Sequence, residues 1–191
     1  EVFDYPEDFF KERVHSIRRS RPDDYQIKKA VEVIKSSKNP IIISGGGVFY
    51  SDAMEELSDF AKKHNIPVTQ TVMGYSTMKR DHSHFLGPIG GLGGKAANNM
   101  AKKTDLAIAI GTKLADFTTG SWANFENPNF KLVSINAARF DANKHMAQAV
   151  VGDAKVSLSE LSLALGSWKA EDSWNKKAQM ELKSWNEYVD K

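Results

Sequence analysis

Five short, near-continuous apolar runs constrain this chain more than any other feature. They are "IIIS" (residues 41–44), "IPVTQTV" (66–72), "DLAIAIG" (105–111), "KLVSIN" (131–136) and "QAVVGD" (148–153). Each is of strand length, and most are separated by stretches of helical spacing. Ile27, Ala30, Val31 and Ile34 recur at that spacing, with Asp23 or Asp24 placed to cap the helix after Pro22. Ala53, Leu57, Phe60 and Ala61 do the same, and Asp52 with Glu55 reads as a capping box. Residues 95–103 and "AKVSLSELSLAL" (154–165) predict two further helices. Strands that alternate with helices pair in parallel, because each crossover needs a helix to return the chain. Apolar residues at successive positions mean that both faces of the sheet are covered. The expectation is an α/β protein with an open, doubly wound parallel sheet of five to six strands.

Composition narrows the partners. Of 191 residues, 26 are Lys or Arg and 24 are Asp or Glu, a formal net charge of +2. That is too small to predict nucleic acid or anionic lipid as a partner. The basic run "KERVHSIRRSR" (11–21) reads as the wet side of a helix over residues 7–19, with Phe10, Val14 and Ile17 on the other side, followed by a linker. There are no cysteines, which removes disulfides, thiolate nucleophiles and cysteine metal sites and fits a cytoplasmic protein. No apolar run approaches the ~20 residues of a membrane span. Residue 1 is Glu and the first ten residues, "EVFDYPEDFF", are rich in aromatics, so the expectation is a segment of a longer chain.

The glycines raise the question of a nucleotide. In "NPIIISGGGVFYSDAMEEL" (39–57), Gly45 and Gly47 supply two positions of a dinucleotide fingerprint, but the third falls on Tyr50. No acid ends the second strand to grip a ribose hydroxyl, which argues against a nicotinamide-dependent dehydrogenase. The triple glycine then serves a tight turn and close helix packing. "GGLGGKAANN" (90–99) fails as a phosphate loop, because Ile89 stands where a glycine belongs and Ala96 follows Lys95. A flexible loop or a simple anion site at a helix N-terminus both remain open there. "DHSHF" (81–85) reads as a solvated turn and not a metal site, and His145 as structural. No nucleophile–base or paired-carboxylate arrangement can be argued from spacing.

In a sheet of this kind the ligand crevice lies beyond the carboxyl ends of the strands, where the winding reverses. The loops 45–50 and 111–120 are therefore the candidate walls. The tail is of another type: Trp174, Ala178, Leu182, Trp185 and Val189 share one helical face, which needs either this sheet or a neighbour to cover it.

The ordered set "PIIISGGG", "IPVTQTVMGYST", "FLGPIGGLGG", "DLAIAIGTKLADFTTG", "KLVSINAARFDANKH" and "VVGDAKVSLSEL" resembles the central domain of thiamine-diphosphate-dependent enzymes, over about residues 39–165. "YPEDFFKERVHSIRRSRPD", "GGGVFYSDA" and "INAARFDANKH" bring it nearest to the branch that opens a cyclic dione by hydrolysis in inositol breakdown. The resemblance implies a Rossmann-like central domain at 39–166, preceded by an N-terminal linker and helices (1–38) and followed by a linker helix (167–191). It implies that thiamine diphosphate and Mg2+ are held by N- and C-terminal domains outside these residues. Consistent with that, the Gly-Asp-Gly motif of the family is absent, Ala154 following Asp153. It also implies a homo-oligomer acting on a small-molecule substrate, with this segment inactive alone. A free-standing FAD- or ADP-binding module, or an acetohydroxyacid-synthase-like carboligase, are the alternatives.

Some relatives hold FAD in this domain. Carried over, the contacts would be Gly45, Gly46, Gly47, Thr71, Gly74, Gly87, Gly90, Gly111, Thr112 and Asp116. Two departures count against a flavin. Lys113 replaces an arginine and cannot form a planar bidentate clamp, and Asn136 replaces a strand-end Asp.

Overall fold

The computed structural model describes residues 2–191. Its centre is a six-stranded sheet in the order β3-β2-β1-β4-β5-β6. The strands are β1 (Pro40–Ser44), β2 (Val68–Gln70), β3 (Phe85–Pro88), β4 (Leu106–Ile110), β5 (Lys131–Asn136) and β6 (Gln148–Val151), and all neighbours pair in parallel. The winding reverses between β1 and β4, the switch point of a doubly wound sheet. The expected fold class is the one observed.

β3 lies outside the five apolar runs. Gly87 sits at φ +94° and Pro88 ends the strand, so the sequence there reads as a loop, and the pairing with β2 shifts register between Val68 and Thr69. Such residues are tolerated because β3 is an edge strand. The β2–β3 connection, residues 71–84, contains one 3-10 turn (Val72–Gly74) in place of a crossover α-helix.

Strand alternation divides the core into two layers. Ile42, Ile108, Val133 and Val150 face α1 (Asp24–Lys35), α3 (Met54–His64) and α7 (Ala154–Leu165). Ile41, Ile43, Ala107 and Ala109 face α4 (Lys95–Lys103) and α8 (Asp172–Val189). α2 (Gly46–Tyr50), α5 (Asp116–Thr119) and α6 (Arg139–Ala142) are single turns following β1, β4 and β5. Asp23 and Asp153 cap α1 and α7, each carboxylate accepting two backbone N–H bonds.

Three local expectations are corrected. Residues 7–19 are not a helix: only Glu7–Phe10 form a 3-10 turn, and Phe10, Val14 and Ile17 are all exposed. An amphipathic helix this short is stable only against a surface, and none lies under that face. Asp52 does not cap α3. It occupies the left-handed region at φ 52° in the turn that splits α2 from α3, its carboxylate faces Lys155, and Ala53 takes the cap position. "DHSHF" is a turn with Asp81 and Ser83 exposed, but not solvated throughout, because His84 is buried.

The tail helix is covered by this sheet. Trp174 and Ala178 are buried against the core, Leu182 and Trp185 are partly buried, and Val189 is exposed. The Trp174 indole N–H donates to the carbonyl of Pro40 (2.8 Å), tying α8 to the start of β1.

Candidate functional site

The loops leaving the carboxyl ends of β1, β2, β4 and β5 enclose a crevice of about 560 Å³ at the switch point. Its floor is backbone. The N–H of Gly45 donates to the Ile110 carbonyl (2.8 Å) and that of Gly47 to the Gly111 carbonyl (2.9 Å). A Cβ on Gly47 would stand 2.5 Å from the Cα of Gly111, and Gly111 itself is at φ +60°. The glycine run thus lets two loops press backbone to backbone across the switch point, and two of its N–H groups are spent there.

Two of the hydroxyls that reach the crevice are engaged by backbone. Thr71 Oγ1 accepts from the Gly74 N–H (3.0 Å), and Thr112 Oγ1 accepts from the Leu114 N–H (3.2 Å). Asn136 bridges two loops: its side-chain amide donates to the Thr112 carbonyl (3.2 Å) while its oxygen accepts from the Ala138 N–H (2.9 Å). An aspartate could not make the first of these bonds. The charged groups on the lining are Lys113 and Asp141, and Asp141 is paired with Lys144 at 2.6 Å.

Of the ten residues carried over by resemblance, Gly46, Gly47, Thr71, Gly111 and Thr112 line this crevice. Gly45 lies beneath it, on Gly111 and Thr112, and Gly74 packs on the backbone of Ser44 and Gly45. Gly90 packs on the backbone of Phe117 and Thr118, and Asp116 starts α5 with its side chain exposed. Gly87 stands apart, on a second cavity of about 970 Å³ beside Leu182 and Trp185 of α8. The other glycine-rich loop ends under α8: a Cβ on Gly94, which precedes α4, would stand 3.0 Å from the Trp185 indole nitrogen.

The sequence did not point to the mouth of the crevice. Tyr50, Val72, Met73, Leu92 and Phe117 surround it, each more than half exposed. The signal available was one large apolar residue shortly after the end of each of the first four strands.

The histidines form a separate cluster before β3. The Asn65 side-chain amide donates to the Ala170 carbonyl (3.1 Å) and to the Asp172 carboxylate (3.0 Å), so the Asn65 oxygen accepts the Nε2–H of His84 (3.0 Å). His82 Nδ1 accepts from the His84 backbone N–H (3.1 Å). Burial, then His82, then Lys62 lower the His84 pKa to about 4. Burial likewise lowers His82 and His64. His64 is fully buried at the end of α3, its Nδ1–H donating to the Trp168 carbonyl (2.6 Å). These are neutral, structural imidazoles.

The donor set does not fit a magnesium–diphosphate group. One carboxylate and one lysine face the crevice, and among the described residues no three His, Cys, Asp or Glu side chains gather as a metal would require. No histidine among the described residues lines the crevice, so no hydroxyl there faces an imidazole base. The crevice can pack or bind an apolar group, and it offers no acid–base pair for chemistry. Among the described residues no helix is long and apolar enough to cross a membrane.

Comparison with known proteins gives the context. The family described as "Thiamine pyrophosphate enzyme, central domain" matches residues 27–161. A 3D-(3,5/4)-trihydroxycyclohexane-1,2-dione hydrolase of Clostridium perfringens is 43% identical over 187 residues, covering 98% of this chain and 29% of that protein. Proteins of the same name from Clostridium tetani and Clostridium botulinum are 46% and 41% identical, covering 85% and 100% of this chain and 25% and 30% of theirs. The chain therefore spans about three tenths of the length of these curated relatives.

Proposed function

This chain belongs to the thiamine pyrophosphate enzyme central-domain family, and from that premise we propose that it is the central domain of a longer thiamine-dependent hydrolase. The substrate in this reading is 3D-(3,5/4)-trihydroxycyclohexane-1,2-dione. The observation that carries the proposal is the match to relatives of that name along nearly the whole chain. The site agrees with a supporting role: the glycines of the crevice are used to close two loops on each other, and Thr71, Thr112 and Asn136 are bonded to backbone within the domain.

Hydrolysis of the bond between the two carbonyl carbons adds one water. It leaves a carboxylic acid at one end of the opened ring and an aldehyde at the other. In this reading thiamine diphosphate, with magnesium, is bound by parts of the protein outside residues 2–191. This domain contributes a rigid sheet that spaces and orients those parts, in an enzyme assembled from several subunits.

The test is to assay the longer protein containing this chain, with the dione as substrate, by acid release. One acid group per ring and at least a hundredfold loss on removal of thiamine diphosphate are expected. Ring opening that survives cofactor removal would overturn the proposal. So would an enzyme that ignores the dione and joins 2-oxoacids instead.

A further inference from the structure

The exposed apolar side chains are distributed unevenly over the sheet. Tyr50 follows β1, Val72 and Met73 follow β2, Leu92 follows β3, Phe117 follows β4 and Phe140 follows β5. Each is between 57% and 77% exposed. At the amino edge the large apolar side chains of the loops turn inward: Trp122, Phe125 and Phe130 pack on the core, and Met146 is the one left fully exposed.

Six side chains of this size, each more than half open, present on the order of 700 Å² of apolar surface. That exceeds the ~300–600 Å² of a typical monomer's largest patch. It also approaches the ~800 Å² that each partner gives to a standard interface. The patch is continuous, because five of the six surround one crevice and Phe140 adjoins it through Asp141. Its charges are few: the exposed Lys113, and Asp141 paired with Lys144, whose ammonium lies 4.6 Å from the centre of the Phe140 ring. The basic arm joins at the same edge: Arg19 bonds the Ser51 carbonyl and the Asp153 carboxylate there.

We propose that this rim is the docking face for the rest of the polypeptide, the part that carries thiamine diphosphate. The inference rests on the functional reading above. The occupant follows from length: relatives that match this chain almost end to end have roughly seven tenths of their residues beyond it. A surface that large needs somewhere to pack, and the carboxyl edge gathers six exposed large apolar side chains, against Met180, Tyr188 and Val189 on α8 and Met146 at the amino edge. A mostly apolar rim with few charges fits another tightly packed protein surface better than it fits nucleic acid or a charged ligand.

The experiment uses the full-length protein. Leu92→Cys, Phe117→Cys and Phe140→Cys are made singly, with Met146→Cys as the amino-edge reference, and maleimide labelling of each position is followed by peptide mass spectrometry. Hydrogen exchange of loops 46–52, 71–76 and 112–119 in the unsubstituted protein provides the check that needs no variant. The rim cysteines are expected to react at least tenfold more slowly than Cys at 146. A photo-crosslinker at position 92 is expected to join segments outside residues 1–191. Labelling within threefold of position 146, together with fast exchange, would overturn the proposal. Crosslinks to residues 1–191 of a second copy, told apart by mixing heavy and light protein, would also overturn it. A protein that protects the rim yet does not open the dione refutes the functional reading alone. One that opens the dione while its rim stays as reactive as position 146 refutes the docking face alone.

Discussion

At the amino edge of the sheet, polar side chains lock the backbone. Asp105 accepts the N–H groups of Lys38 and Asn39 at 2.8 and 2.9 Å, Trp174 donates to Pro40, and His64 donates to Trp168. At the carboxyl edge, glycine backbones press together and large apolar side chains point outward from five successive strands. One end of the strands is finished for stability. The other is held rigid beneath and left open above, which is where a doubly wound sheet meets what it binds.

The contrast predicts a graded response to substitution. Trp174→Ala should cost most, about 3–5 kcal/mol, because it removes a buried indole and the tie from α8 to β1. Denaturant unfolding of the chain checks this, and a loss under 1 kcal/mol would mean that α8 is not locked to the amino edge. Acid should act at the same end. The folded His84 pKa is about 4, against about 6.5 for an unfolded histidine. Between those values the unfolded chain binds a proton that the folded chain does not, so stability is intact above pH 6.5 and falls as pH drops toward 4. The loss approaches about 3 kcal/mol, and His84→Gln should flatten the pH profile of unfolding.

At the carboxyl edge the effects should be smaller and should depend on depth. Gly47→Ala drives a methyl against the Gly111 backbone and should cost about 2 kcal/mol in thermal or denaturant unfolding. Asp153→Ala removes the α7 cap and the Arg19 pair and should cost about 1 kcal/mol. Phe140→Ser, on the rim, should change the stability of the 191-residue chain by less than about 0.5 kcal/mol. A large loss from Phe140→Ser would erase the distinction between a structural layer and an open rim.

Much of the sheet was legible because strand burial is written in composition. The runs around β1, β4, β5 and β6 needed no context, and α7 was legible over residues 154–165, while its cap Asp153 shows only in the structure. β3 was hidden because Gly87 and Pro88 are acceptable only on an edge strand, and being an edge is a property of topology. The helix expected over residues 7–19 had the right spacing and no surface to lie on. His84 looked solvated because its burial depends on Asn65 and on the start of α8, 19 or more residues away. The crevice walls at 45–50 and 111–120 followed from the switch-point rule, and both loops do line it. The apolar rim could not be read ahead, since each of its residues is unremarkable until five loops are brought to one edge.

The central claim is that this domain supports thiamine chemistry without holding the cofactor. Titration calorimetry of thiamine diphosphate with magnesium into the 191-residue chain, beside the longer protein, tests it most directly. The account predicts saturable binding to the longer protein and no saturable heat with the chain alone. Micromolar binding by the chain alone would contradict it.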